Sequence, residues 1–207
     1  MKTMYGLNEK EQKLAQRLIE DGLNSASTTL SSLLKSPISI TKIDFGNDAM
    51  DSVKESLEEN KIGGYHILRT ELIGELQGVC HLIFSAAEIE AINQISVPAS
   101  LLESSAAEAK LLSEGFLTEL DNIVSASVIT ELSNGLDMDI FGHVPSLHIM
   151  DATELQSYLV ADASQFNNVV HFKANFKGEE LNVCPEFTWM FQDQFLTRVK
   201  EVSLEVG

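Results

Sequence analysis

The chain has 207 residues, 44% of them hydrophobic, and sets 31 Asp and Glu against 14 Lys and Arg for a formal net charge of −17. That balance argues against nucleic acid or an anionic membrane as a partner, since both repel a strongly acidic surface. No segment approaches the roughly 20 apolar residues that span a bilayer, and the opening MKTMYGLNEKEQKL lacks the apolar core of a signal peptide. Two cysteines, Cys80 and Cys184, make neither a disulfide framework nor a paired metal spacing, and both read as small buried hydrophobes in a reducing cytoplasm. The acid is unevenly spread: residues 98–207 hold 17 Asp and Glu against five Lys and Arg, an excess that suits solubility or a partner with a basic rim.

Residues 8–35 place Leu14, Leu18, Leu23, Leu30, Leu33 and Leu34 at helical spacing, with Asn8 as the N-cap. Ser36-Pro37 stops that helix, and ISITKIDF follows as a strand. Residues 47–60 are polar and charged, a surface helix or loop. YHILRTEL and GELQGVCHLIFS read as two β segments joined tightly near Gly74, AAEIEAINQI as a short helix and SVPASLLESS as a linker. Residues 103–136 are helical, with a break or bend expected near Ser113 and Gly115. After NGLDMD a strand runs through VPSLHIMD, and NNVVHFKANF and a segment around ELNVCPEFTWMF, interrupted by Pro185, supply later strands.

The second half restates the first. TTLSSLLKSPISI and ITELSNGLDMDIF superpose with Ser31 on Ser133, a shift of 102 residues, and each half runs helix, strand, strand pair. A unit with too few strands to cover its own sheet face gains by pairing with its copy. The expected fold is α/β (α+β): one pseudo-twofold domain of two units, about 8–95 and 103–200, with a largely antiparallel sheet and the two long helices on one face.

Along the second long helix, Leu112, Phe116, Leu117, Leu120, Ile123, Val124, Val128 and Leu132 form a broad apolar stripe able to bury it. Opposite, at steps of four, three and four, stand Gly115, Glu119, Asn122 and Ala126, so an acid and an amide project side by side from a ridge otherwise almost bare of side chains. An exposed Glu is commonplace, and an Asn inside a helix costs only roughly a few tenths of a kcal/mol relative to Ala, so the spacing alone establishes no function. The chain has no GxxxxGK loop, GxSxG elbow, HExxH or Cys/His cluster. Its five histidines fall mostly in β segments, where His81 and His148 read as sheet residues rather than metal ligands, and Phe187 and Trp189 read as packing.

Glu119-Leu-Asp-Asn122, followed after 22 residues by Pro145 at the head of VPSLHIM, resembles the signature of the CheC/CheX/FliY chemotaxis phosphatases. The likeness extends through ELDNIVSASVITELSNGLDMDIFGHVPSLHI and, in the first half, through TTLSSLL, SPISI and LIGELQG. It implies a phosphatase acting on the aspartyl phosphate of a CheY-like receiver domain, with Glu119 and Asn122 catalytic and Gly115, Ala126 and Pro145 meeting the partner. It further implies no metal or cofactor of the chain's own, Mg²⁺ being held by the receiver, and a cytoplasmic location. A CheD-like protein is a further partner the resemblance raises, and a homodimer through sheet edges or the acidic half is another expectation. Two departures stand out. Gly115 occupies a position where the family carries Asp or Ser, with Ser113 two residues earlier, and the 102-residue shift puts Arg17 and Glu20 where the first helix would need Glu and Asn. One working site is therefore expected. The alternative is a non-catalytic binding module like the FliM middle domain.

Overall fold

Asn8 starts the first helix, α1 (Glu9–Leu34), by a reciprocal cap: its side-chain oxygen accepts from the Lys10 and Glu11 N–H groups at 3.0 Å, and the Glu11 carboxylate accepts from the Asn8 N–H at 2.7 Å. The computed structural model describes residues 4–45, 64–166, 170–178 and 180–205; the polar segment expected at 47–60 lies outside them. Lys35, with φ 50°, turns α1 off in the left-handed region, and the Ser36 N–H donates to the Ser31 carbonyl at 3.2 Å. The second long helix, α4 (Ala106–Leu136), ends the same way: Asp137 also has φ 50°, and the Met138 N–H donates to the Ser133 carbonyl at 3.1 Å. The two helix ends thus share one geometry, 102 residues apart.

Strands β1 (Ile38–Phe45), β2 (Tyr65–Gly74), β3 (Gly78–Ser85), β4 (Ile140–Gly142), β5 (Ser146–Met150), β6 (Val170–Gly178) and β7 (Glu186–Phe191) form one antiparallel sheet in the order β1-β6-β7-β3-β2-β4, with β5 also paired to β2. The two halves of the chain meet at the central β7–β3 pair; the first half sends β1 to the outer edge of β6, and the second sends β4 and β5 to the outer edge of β2. The remaining helices are α2 (Ala86–Ser96), α3 (Ala99–Ser104), α5 (Ala152–Ser164) and α6 (Gln194–Glu205).

Alternation along the strands gives the sheet two faces. Cys80, Leu82 and Phe84 of β3 and Phe187, Trp189 and Phe191 of β7 turn to the side where α1, α4 and α6 pack, and there Trp189 lies stacked on Phe172 with centroids 5.7 Å apart. Phe187 and Trp189 are packing residues, as expected. The two long helices lie against each other, and a Cβ on Gly22 would sit 3.0 Å from Val128, so glycine sets how closely they approach. The opposite face carries Tyr65, Ile67, Val79, Ile83 and Met190 under Leu155 and Leu159 of α5. A charged clasp fixes α5 there: Arg69 Nε donates to Asp162 Oδ2 at 2.8 Å, and His81 Nε2 meets the same oxygen at 2.7 Å. Burial opposes ionisation of Asp162, but the hydrogen bonds from His81 and Arg69 outweigh it and hold the carboxyl below the usual range, while burial lowers His81.

Several expectations need correction. α4 runs unbroken through Ser113 and Gly115, because Ser113 is buried and donates its hydroxyl to Asn93 Oδ1 at 2.6 Å instead of competing with the helix backbone. The supposed linker contains α3. The strand through VPSLHIMD is divided into β4 and β5 at Pro145, which has no N–H for a ladder. Cys184 is exposed, unlike the buried Cys80. α5 and α6 were not anticipated, although Asp151 and Glu154 form a capping box visible in the sequence DATE. Among the described residues no helix is long and apolar enough to cross a membrane.

Two substitutions test this architecture. A Cβ on Gly78 would lie 2.3 Å from the Met190 carbonyl oxygen at the β3–β7 seam, so Gly78→Ala should lose about 1–3 kcal/mol in urea denaturation; an unchanged midpoint would contradict the close approach. Asp162→Ala leaves Arg69 and His81 without their shared acceptor, and a loss of about 3–5 kcal/mol is expected, measured the same way.

Candidate functional site

α4 is 31 residues long, and the inner side of its motif-bearing stretch is fully committed: Leu117, Leu120, Val124, Val128 and Leu132 are buried against the sheet and α1. With 3.6 residues per turn, that commitment leaves Gly115, Glu119, Asn122 and Ala126 no choice but to face out, and all four are exposed. The stripe is narrower than its sequence suggests, because Leu112 is 45% exposed and Phe116 and Ile123 are only half-buried. Neither the Glu119 nor the Asn122 side chain has a hydrogen-bond or ion-pair partner among the described residues. Among the described residues nothing lies within 4 Å of a Cβ built on Gly115, so none of them closes the approach to Glu119 from that side.

Pro145 is buried rather than exposed. Arg69 pairs with Ser146, and the His143 N–H donates to the Glu71 carbonyl at 2.8 Å, so Val144 and Pro145 together face the single residue Thr70. This is a β-bulge in the edge strand, a position that tolerates proline. The bulge sets Pro145 next to Thr70, and Thr70 in turn touches α4.

That contact was missed from the sequence. Asp121, between Glu119 and Asn122 in the chain, is 0% exposed, and its Oδ2 accepts from the Thr70 hydroxyl at 2.7 Å; its Oδ1 has no hydrogen-bond partner among the described residues. Burial pushes the carboxyl up to about 7, with the Thr70 hydrogen bond pulling the other way. A signal was present, since Asp121 occupies the helical angle of Leu117, Val124 and Val128 and so interrupts the apolar stripe with an acid.

On α1, Arg17 and Glu20 occupy the corresponding outward positions; both are exposed, and Arg17 pairs with Asp21 at 3.6 Å. An outward acid and amide three residues apart therefore occur on α4 and not at the equivalent place on α1. Among the described residues no group of three or more His, Cys, Asp or Glu side chains is placed to hold a metal. His148, half-buried on β5, lies 3.0 Å from the Ser146 hydroxyl. Chemically, the ridge offers a carboxylate and a carboxamide to something outside the chain.

No protein-family model matches the chain, and no curated protein sequence matches it. Solved structures do. FliY of Thermotoga maritima superposes with a TM-score of 0.63 at 17% identity, over 96% of this chain and 98% of that one. CheX of Borrelia burgdorferi, solved in complex with CheY, BeF3 and Mg²⁺, gives 0.56 at 15% identity over 84% of this chain and 97% of that one. The FliM middle domain from Vibrio alginolyticus gives 0.54 at 10% identity over 91% and 99%. The chain has the fold these CheC/CheX/FliY-like chemotaxis proteins share.

Proposed function

We propose that this chain is a chemotaxis phosphatase that removes the phosphoryl group from the aspartyl phosphate of a CheY-like receiver domain in the cytoplasm. The observation that carries the proposal is the exposed pair Glu119 and Asn122, unpartnered among the described residues, on a helix whose other side is locked in the core. A neighbour in fold, CheX, binds CheY carrying BeF3 and Mg²⁺, in which BeF3 stands in for the phosphoryl group; that complex supports a receiver as the partner class.

The chemistry suits so spare a site. The phosphoryl group, the Mg²⁺ and a lysine belong to the receiver, so hydrolysis asks the helper for position and charge placement rather than a strong base or a cofactor of its own. The Asn122 carboxamide can accept from and donate to one water, holding it in line with phosphorus. The Glu119 carboxylate, one turn away, reaches the receiver's lysine or approaches its metal, fixing register through a charge-assisted hydrogen bond. Gly115 and Ala126 leave room for the receiver's loops. In this reading the chain comprises two units, about 8–95 and 103–200, of which only the second works.

A binding module without catalysis is the second reading. Gly115 in place of an Asp or Ser, the Arg17 and Glu20 of α1 and the likeness to the FliM middle domain favour it. The two readings separate on the phosphate lifetime of a bound receiver.

Asn122→Ala should lower the rate of phosphate release from a Mg²⁺-bound phospho-receiver by at least about a hundredfold, the scale of losing one oriented polar group. Because Asn122 is exposed, stability should change by no more than about 0.5 kcal/mol. A variant that turns over as fast as the wild type removes Asn122 from the mechanism.

A further inference from the structure

We infer that Asp121 is a positioning residue: through Thr70 it sets the rotation of α4 on the sheet and so aims Glu119 and Asn122 at the partner. The inference rests on the reading of that pair as the working site. At about 100° per residue, Asp121 points about 160° from Glu119 and about 100° from Asn122 around the helix axis. Any turn of α4 that brought the Asp121 carboxyl to water would carry Glu119, and in one sense of rotation Asn122 as well, toward the sheet.

The apolar contacts of α4 decide which side faces the sheet, but being non-directional they set its exact angle only coarsely. Among the described residues, the Thr70–Asp121 bond is the only side-chain hydrogen bond from α4 to the sheet. Its far end lies within the sheet, since Thr70 pairs with Cys80 of β3 on one side and faces the Val144–Pro145 bulge on the other. Thr70 is also β-branched, with a stiff side-chain torsion. Pro145, far in sequence from Glu119, is thereby tied to the orientation of the same helix turn.

The carboxyl is poised between two protonation states. Its Oδ1 is unpartnered among the described residues, and burial of the side chain disfavours the charged form and raises its proton affinity. The titratable group beside it is the Cys80 thiol, pushed well above its usual range by burial and by Asp121. Other elements packed on α4 turn apolar side chains to the shared core: Leu18 of α1, Ile92 of α2, Ile140 of β4, Leu147 of β5 and Val199 of α6. Asp121 binds its proton more tightly folded than unfolded. Wild-type stability therefore falls, relative to a neutral variant, as pH rises from about 4 to about 7, and the deficit is constant above that.

The experiment compares wild type, Asp121→Asn, Thr70→Val and Thr70→Ser. Asp121→Asn keeps an acceptor for Thr70 without the charge. It should hold kcat within about threefold and raise Tm at about pH 8 but much less at about pH 5. Thr70→Val should lower kcat by about tenfold or more and shift the Asn122 side-chain amide signals in NMR spectra, while Thr70→Ser restores both. Tm values for wild type and Asp121→Asn that run in parallel at every pH overturn the inference, as does a folded Thr70→Val with wild-type Asn122 signals. If the wild-type chain releases no phosphate, the proposed function fails. The Asn122 signals, which need no receiver, still decide the positioning claim, and if Thr70→Val does not fold, the same signals in Asp121→Ala decide it: shifted signals are expected, and wild-type signals overturn the inference.

Discussion

The burial of one side of α4 is the constraint from which the rest of this molecule follows. Leu117, Leu120, Val124, Val128 and Leu132 must leave water, and the place available is the layer between the sheet and α1. Once those side chains are packed, residues 115, 119, 122 and 126 project outward by geometry alone. The hydrophobic effect supplies the force but little angular precision. A directional hydrogen bond, Thr70 to Asp121, supplies what burial lacks.

The sheet is organised to receive that helix. Its two halves join at the β7–β3 pair, and aromatic residues from β6 and β7 fill the space beneath the long helices. On the opposite face, α5 is held by a carboxylate shared between Arg69 and His81. The helix face and the α5 face are thus stabilised by different physics, one mainly apolar, the other built around a buried charge cluster. The bulge at Val144 and Pro145 lies opposite Thr70 at the sheet edge, and Thr70 is the residue that bonds α4.

Much of this was legible in the sequence, and the residues show why. The leucine spacing of α1, the Asn8 cap, the Pro37 stop and the alternation in ISITKIDF are local signals, and the elements formed where they pointed. The outward ridge was legible because helical periodicity fixes faces. What failed was non-local. Ser113 looked like a breaker until its hydroxyl found Asn93, and Cys184 looked buried until the turn before β7 left it outside. Asp121 was passed over because an acid on a helix normally belongs to the wet side; only the fold reveals Thr70 waiting beneath it. The exposed Leu112 shows the same limit, since a stripe says which residues could be buried and not how far the partner surface extends.

The central claim is that an acid and an amide, fixed on a rigid helix and aimed at solvent, act on a phosphoryl group held in another protein. The most direct measurement is the lifetime of the aspartyl phosphate on a Mg²⁺-bound CheY-like receiver as wild-type chain is added, followed alongside binding. The account predicts that the lifetime shortens with concentration and that the effect saturates as the complex forms. A receiver that binds across its whole titration while its phosphate decays no faster than alone would contradict it.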